Sequence, residues 1–382
     1  RKLKKKNLPV YKRGDMLAHI TSLKKNIVVS GSHGKTTTTS LIASIFAKAK
    51  LDPTIINGGV INSLDNSAKL GKSEWSVLES DESDGSFIKV PSTYAVVTNI
   101  DREHMDYYKS LNDLKKHFIK FMLKVPSFGK TFICIDDKNT RDIFESSKIK
   151  NILTYGYSNQ SNFKIKNCSF QKNKSFFDVE MRLPNKNKIV LKKFELPLIG
   201  SHNIKNATAA IAVSYFIGIS PIILKNSLKN FKGVERRFNK IFTYNGADIY
   251  DDYAHHPTEI REVLSGVSNS YKEKKILCIF QPHRVSRLND LKNEFCYSFK
   301  NASSVILCPI YKAGENLKLN LDYYKFAEQI SKKSKVQVFF INNKYELAKF
   351  LKKFLNKENI AIGMGAGSIS SWIKQLPTLM KK

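Results

Sequence analysis

The segment Ile27-Val28-Val29-Ser30-Gly31-Ser32-His33-Gly34-Lys35-Thr36-Thr37-Thr38-Thr39 constrains this chain more than any other. A buried strand ends on small residues, turns on glycine and opens at once into a helix. Gly31 and Gly34 let the backbone approach an anion with N–H groups pointing inward, and the helix N-terminus adds partial positive charge. Ser32 and His33 lie in the same loop, Lys35 can reach β- and γ-phosphates, and a hydroxyl of Thr36 or Thr37 can bind Mg²⁺. The spacing is G-x-x-G-K-T, shorter than the general G-x-x-x-x-G-K-[ST] pattern. A turn that only caps a helix has no need of the lysine and hydroxyls in this order. The segment therefore predicts a grip on the phosphates of a nucleotide.

A chain of 382 residues calls for two domains or more. Apolar runs at 26–30, 75–80, 94–100 and 131–135 read as buried strands, and 35–50 and 111–123 as helices, so the first part is a parallel sheet wrapped by helices. From about 162 to 199 three short strands separated by Asn/Lys turns suggest an antiparallel portion, followed by an alanine-rich helix at 203–216. Strand patterns at 275–280, 304–309, 336–341 and 359–363 then alternate with helices at 257–267, 286–299, 322–331 and 345–355. The expected fold class is α/β: a P-loop-type central domain at 24–232, then a Rossmann-like α/β domain at 233–382.

Further polar clusters follow strand ends, where open α/β sheets bind ligands. Glu79-Ser80-Asp81-Glu82-Ser83-Asp84 is dense in acid, and Glu79, next to the strand, is the expected metal carboxylate. Thr98-Asn99-Ile100-Asp101-Arg102-Glu103-His104 repeats the logic and makes His104 a metal or phosphate ligand. His202-Asn203 precedes the alanine-rich helix, where Ser201 or Asn203 also suits an N-cap. Arg236-Arg237 suits anionic phosphate, and Asp251-Asp252-Tyr253-Ala254-His255-His256-Pro257 packs acids and histidines at a helix entry. In Gln281-Pro282-His283-Arg284-Val285-Ser286-Arg287, Arg284 and Arg287 at i, i+3 would share a face able to clamp a carboxylate or pyrophosphate. Gly363-Met364-Gly365-Ala366-Gly367 has no βαβ unit behind it, so it is not read as a dinucleotide loop but as a turn lining the site.

The net charge of +31 raises nucleic-acid binding, but only 10 of 64 basic residues are Arg and the lysines are spread along the chain. Arg is the residue for bidentate base and phosphate recognition, so the excess reads as lysine on solvated faces with no nucleic-acid partner. No apolar run is long enough for a bilayer, and no apolar segment of signal-peptide length follows the basic start. Five scattered cysteines without a C-x-x-C pair argue against zinc and disulfides and for a reducing cytoplasm.

Taken in order, these motifs resemble the Mur ligase family: 31–36, 79–84, 98–106, His202-Asn203, Arg236-Arg237-Phe238, 251–257, 281–287 and Ala313-Gly314-Glu315. The Asp-Glu-Ser-Asp and Asp-Asp-Tyr-Ala-His-His-Pro runs favour the branch acting on UDP-N-acetylmuramate and L-alanine, with the tripeptide-recycling ligase as the nearest rival. The resemblance implies a cytoplasmic bacterial enzyme, monomeric or weakly dimeric, that activates a carboxylate as an acyl phosphate. It implies ATP on Gly31–Thr37, with Asn203, Arg236 and Asp251 at the nucleotide, and Mg²⁺ on Thr36, Glu79 and His104. Tyr253, His255, His283, Arg284 and Arg287 would face the muramyl substrate and the amino acid; Lys35, Glu79, His104, His255, Arg284 and Arg287 would carry the catalysis. Some family members carbamoylate a lysine beside the metal, and Lys120 falls near the corresponding helix.

The family also begins with a UDP-gripping domain of about a hundred residues, a separate domain by size. Here residues 1–23 match only its tail, so the chain is expected to bind ATP but hold the UDP-sugar poorly, either as a ligase or as a nucleotide-binding remnant. Ser32 stands where the family usually has Thr, a change of little consequence between two small hydroxyl residues.

Overall fold

The structure is a computed structural model describing residues 9–184, 187–319 and 322–381; residues 1–8 of the expected remnant lie outside the described residues. Two compact units are present, one reaching to Ser169 and including Lys174–Pro197 and His202–Val234, the other comprising Phe170–Asn173, Leu198–Ser201 and the chain from Glu235.

The first unit is built on β1 (Lys25–Ser30), β2 (Thr54–Ile61), β3 (Asn66–Lys69), β4 (Trp75–Glu79), β5 (Tyr94–Val97), β6 (Lys130–Cys134), β7 (Ile152–Gly156), β8 (Phe163–Gln171), β9 (Lys174–Met181) and β10 (Ile189–Leu196). They form one sheet in the order β10-β9-β8-β7-β6-β5-β1-β4-β2-β3. From β7 to β2 neighbours run parallel, while β3 and β10 pair antiparallel with β2 and β9. The parallel strands are apolar along their length because helices cover both faces. Ile27, Val28 and Val29 are wholly buried, and Val28, Leu78 and Val97 pack in one cluster with Phe118 and Phe121 of the helix Leu111–Leu123. The expected antiparallel portion is present as β9 and β10.

The decisive feature is the order β5-β1-β4. Val29 pairs with Glu79 on one side and Ser30 with Val97 on the other. The three segments singled out at strand ends, far apart in sequence, therefore emerge side by side at one sheet edge.

The second unit has β11 (Asn239–Tyr244), β12 (Ala247–Asp252), β13 (Lys275–Phe280), β14 (Ser304–Leu307), β15 (Gln337–Phe340) and β16 (Asn359–Met364), ordered β11-β12-β16-β13-β14-β15. All neighbours are parallel except β11 and β12. Apolar clusters lie on both faces of this sheet, one around Phe280, Phe295 and Phe299 and one around Ile279, Leu351 and Ile373.

The pattern expected one helix over 286–299, but two short ones form, Val285–Asp290 and Lys292–Cys296. The break falls at Leu291, whose φ of −117° and ψ of 20° leave the helical region, next to the weak helix formers Asn289 and Asp290. Among the described residues no helix is long and apolar enough to cross a membrane. Four of the cysteines are buried as core residues and Cys168 is exposed.

Candidate active site

In the first unit the loop after β1 is held by the loop after β5. The N–H of Ser32 donates to the Asn99 carbonyl (3.0 Å) and that of His33 to Asn99 Oδ1 (2.9 Å). Asn99 Nδ2 and Thr98 Oγ1 both donate back to the His33 carbonyl, at 3.0 and 2.6 Å. Gly31 (φ 134°) and Gly34 (φ 82°) take backbone conformations that side chains rarely adopt, and a Cβ on Gly34 would meet Asn206 Oδ1 at 2.5 Å. The N–H groups of Ser32 and His33 are thus committed to Asn99. The first N–H groups of the helix Lys35–Lys48, which have no carbonyl one turn earlier within the helix, are those left for an anion. Thr36 and Thr37 lie buried in this first turn.

Lys35 folds back over the loop. Its Nζ donates to the carbonyls of Gly31 (2.7 Å) and Ser32 (3.2 Å) and to Glu82 Oε2 (2.7 Å), with Asp81 Oδ1 at 3.4 Å. Burial alone would lower the Lys35 pKa; Glu82, Asp81 and Glu79 outweigh it and hold the ammonium charged. Glu82 is wholly buried, and burial raises its carboxyl to about 7 against the pull of Lys35, with Asp81 and Glu103 adding to the rise.

Glu82 lies beside His104, and Glu79 reaches to the neighbouring strand. Glu79 accepts the Gly58 N–H at 2.8 Å across to β2, whereas His104 Nε2 lies 3.8 Å from Glu82 Oε1. One ligand atom each from Asp81, Glu82 and His104 lie within 4.8 Å of one another. Glu82 Oε1 is a buried acceptor without a hydrogen-bond partner, so this donor set fits a hard divalent cation such as Mg²⁺. Lys120, on the helix Leu111–Leu123, is exposed. Asn203 Oδ1 accepts from Asn206 Nδ2 at 3.5 Å.

In the second unit the ends of β12, β16 and β13 converge. Arg236 donates from Nη2 to the Gly365 carbonyl (2.5 Å); of the glycine run, Gly363 and Met364 end β16 and the chain leaves the strand at Gly365. Its Nε lies 3.8 Å from Asp251 Oδ2, which accepts the Ser370 hydroxyl at 2.5 Å. Asp251 Oδ1 and Arg236 Nε are buried without hydrogen-bond partners, and burial raises the Asp251 carboxyl. The Tyr253 ring has the guanidinium groups of Arg236 and Arg237 at 4.7 and 5.2 Å.

His255 sits edge-on to Tyr253 (5.1 Å between centroids) and to His283 (5.7 Å), and His283 stacks on Tyr311 at 5.5 Å. Arg287 Nη1 is 3.4 Å from His283 Nδ1 and 3.3 Å from its carbonyl, while Arg284 Nε pairs with Glu315 Oε1 at 3.2 Å. The two arginines thus do not share one helical face, since Arg284 stands before the helix; each has its own anchor. Burial, then Arg287 and Arg284, press the His283 pKa down to about 4, so this histidine is neutral at ordinary pH.

His104, Arg236 and Arg284 all have positive φ, at 57°, 59° and 68°. Each such non-glycine residue costs on the order of 1–3 kcal/mol, and such strain concentrates at ligand sites. Sequence reasoning missed Glu82, Asn99 and Tyr311; all three lay within or beside quoted motifs, but their roles depend on contacts across the sheets.

The family model of the Mur ligase middle domain matches residues 29–214, and that of the Mur ligase, glutamate ligase domain matches 236–367. The chain belongs to the Mur ligase family. It is 63% identical over 377 residues to the UDP-N-acetylmuramate–L-alanine ligase of Pelagibacter ubique, covering 99% of this chain and 81% of that relative. The ligase of the same name from Rhizobium johnstonii is 39% identical over 98% of the chain and 79% of its own length. Among solved structures, the UDP-N-acetylmuramate-alanine ligase of Thermotoga maritima shares the Mur ligase fold with a TM-score of 0.81 at 23% identity, covering 100% of this chain and 81% of that one. A murein peptide ligase of Psychrobacter arcticus gives 0.69 at 21% identity, covering 99% and 82%.

Proposed function

We infer that this chain acts as an ATP-dependent ligase joining L-alanine to the lactyl carboxylate of UDP-N-acetylmuramate, in cytoplasmic peptidoglycan precursor synthesis. The observation that carries the reading is the 63% identity, spread over 99% of the chain, with a ligase of that name. In such a reaction the carboxylate attacks the γ-phosphate of ATP, giving an acyl phosphate and ADP. The alanine amine then attacks the acyl carbon, and phosphate leaves.

Catalysis of these steps is mostly positioning and neutralisation of charge. The first turn of Lys35–Lys48 offers N–H groups to the phosphates, and Lys35 supplies a charge already fixed beside the loop by Glu82. Thr36, Glu79 and His104 are the residues that would hold Mg²⁺, with Asp81 and Glu82 beside His104 as further carboxylates able to do so. When bound, that ion neutralises phosphate oxygens. Asp251 Oδ1 and Arg236 Nε, each without a hydrogen-bond partner, suit the hydroxyls and acceptors of the nucleotide.

Arg284 and Arg287 supply positive charge for the amino-acid carboxylate. With Nδ1 turned to Arg287, neutral His283 carries its proton on Nε2, leaving a donor there and adding no charge against the incoming amine. Tyr253 and His255 form the adjoining wall. The test is phosphate release by the natural full-length protein given ATP and UDP-N-acetylmuramate. Release must depend on L-alanine; release driven instead by a tripeptide assigns the chain to cell-wall recycling.

A further inference from the structure

The segment Tyr311–Glu315 has no part in the reaction as described, yet it is built around Arg284. Tyr311 accepts the Arg284 N–H on its carbonyl at 2.9 Å and donates its own N–H to the Pro282 carbonyl at 2.8 Å. The chain then reverses through Ala313 (φ 53°) and Gly314 (φ 83°), with the Glu315 N–H donating to the Lys312 carbonyl at 3.0 Å. Two successive positive φ values at the centre of a four-residue turn are what a type I′ turn requires. An alanine at the first of these positions is held there against its preference.

The turn returns Glu315 to the start of the helix Val285–Asp290. Its Oε2 accepts the Ser286 N–H at 3.0 Å, and its Oε1 accepts the Ser286 hydroxyl at 2.6 Å and faces Arg284 Nε at 3.2 Å. One carboxylate thus staples the helix entry on both sides of Val285 and fixes the side chain of Arg284, a residue whose backbone is itself left-handed. The Glu315 side chain is largely covered, while that of Arg284 keeps 35% of its surface exposed.

We propose that Glu315 is a positioning residue for the amino-acid half of the reaction: it orients the Arg284 guanidinium toward the carboxylate of the incoming amino acid. The assignment rests on the ligase reading above. Pairing through Nε leaves the outer guanidinium nitrogens for a second carboxylate, the planar fork that suits bidentate recognition. Glu315 itself touches no substrate. It acts only through Arg284.

The test compares Glu315→Ala, Glu315→Gln and Arg284→Ala in the natural full-length protein, reading the KM values for L-alanine and ATP, kcat and Tm. Glu315→Ala is expected to raise the alanine KM at least about tenfold with the ATP KM unchanged. Gln keeps an acceptor for Ser286 but loses the charge, so Glu315→Gln is expected to recover Tm while the alanine KM stays raised. The double variant Glu315→Ala/Arg284→Ala is expected to be no worse than Arg284→Ala alone. Recovery of both Tm and the alanine KM by Gln would reduce Glu315 to a structural staple and overturn the assignment. So would additive effects of the two alanine changes. A wild type without alanine-dependent phosphate release would overturn the ligase reading and this assignment together; an active wild type whose Glu315→Ala variant keeps its alanine KM would overturn the assignment alone.

Discussion

Lys35 and Glu82 form an ion pair in the first unit, 2.7 Å between Nζ and Oε2, with Glu82 wholly inaccessible to solvent. Its second oxygen has no hydrogen-bond partner and faces His104 at 3.8 Å. One carboxylate therefore holds the Lys35 ammonium and presents a free acceptor toward His104; under the proposed function it positions the phosphate-binding lysine and serves the Mg²⁺ site. Glu82→Gln is expected to lower turnover by about 100-fold or more and to raise the Mg²⁺ concentration needed for half-maximal rate. Steady-state rates against Mg²⁺ concentration check this.

The loop is shaped by Asn99 as much as by its glycines. Asn99→Ala removes the side-chain bonds to the His33 N–H and carbonyl. The expected cost is about 1–3 kcal/mol, read by denaturant titration, with weaker ATP binding in calorimetry.

Gly34→Ala places a Cβ against Asn206 Oδ1 at a φ of 82°. Conformational strain alone costs about 1–2 kcal/mol, and the shift of the helix start is expected to reduce ATP affinity. Trimming Asn206 to Ala in the same chain should recover part of the affinity, because it clears the clash but leaves the strain.

Much of this site was legible because its parts are local. Glycines, a lysine and hydroxyls in one run can be read without knowledge of the fold, and the strand ends marked the sheet edge where the quoted segments come together. The contrast between Glu79, tied to Gly58, and Glu82, paired with Lys35, was not legible. It depends on β2 lying beside β4, which hands Gly58 to Glu79, and on Tyr108, whose hydroxyl donates to the Glu82 carbonyl and pins the turn. The anchors of Arg284 and Arg287 were not legible either: a shared helical face was the natural reading, but Arg284 stands outside the helix with φ 68°, paired to a turn about thirty residues later. The helices, read from apolar period, fared well where one face is buried. Leu111–Leu123 begins and ends where the pattern placed it.

His283 offers a test of the electrostatics in the second unit. Its pKa of about 4 lies below the ordinary 6.5, through burial and then the charges of Arg287 and Arg284. Its neutral form is favoured by the fold, so as pH falls from 6.5 toward 4 the unprotonated ring costs stability progressively. Arg287→Gln removes one of those charges and is expected to move the titration upward. Ring-proton chemical shifts of His283 against pH would follow it; an unchanged midpoint would mean that burial alone sets the value.

The most direct measurement is phosphate release by the natural full-length protein with ATP, Mg²⁺ and UDP-N-acetylmuramate, before and after L-alanine is added. The expected result is release that begins with alanine and is abolished by Lys35→Ala. Release at the same rate with and without alanine, or none at all with every substrate present, would contradict the ligase reading.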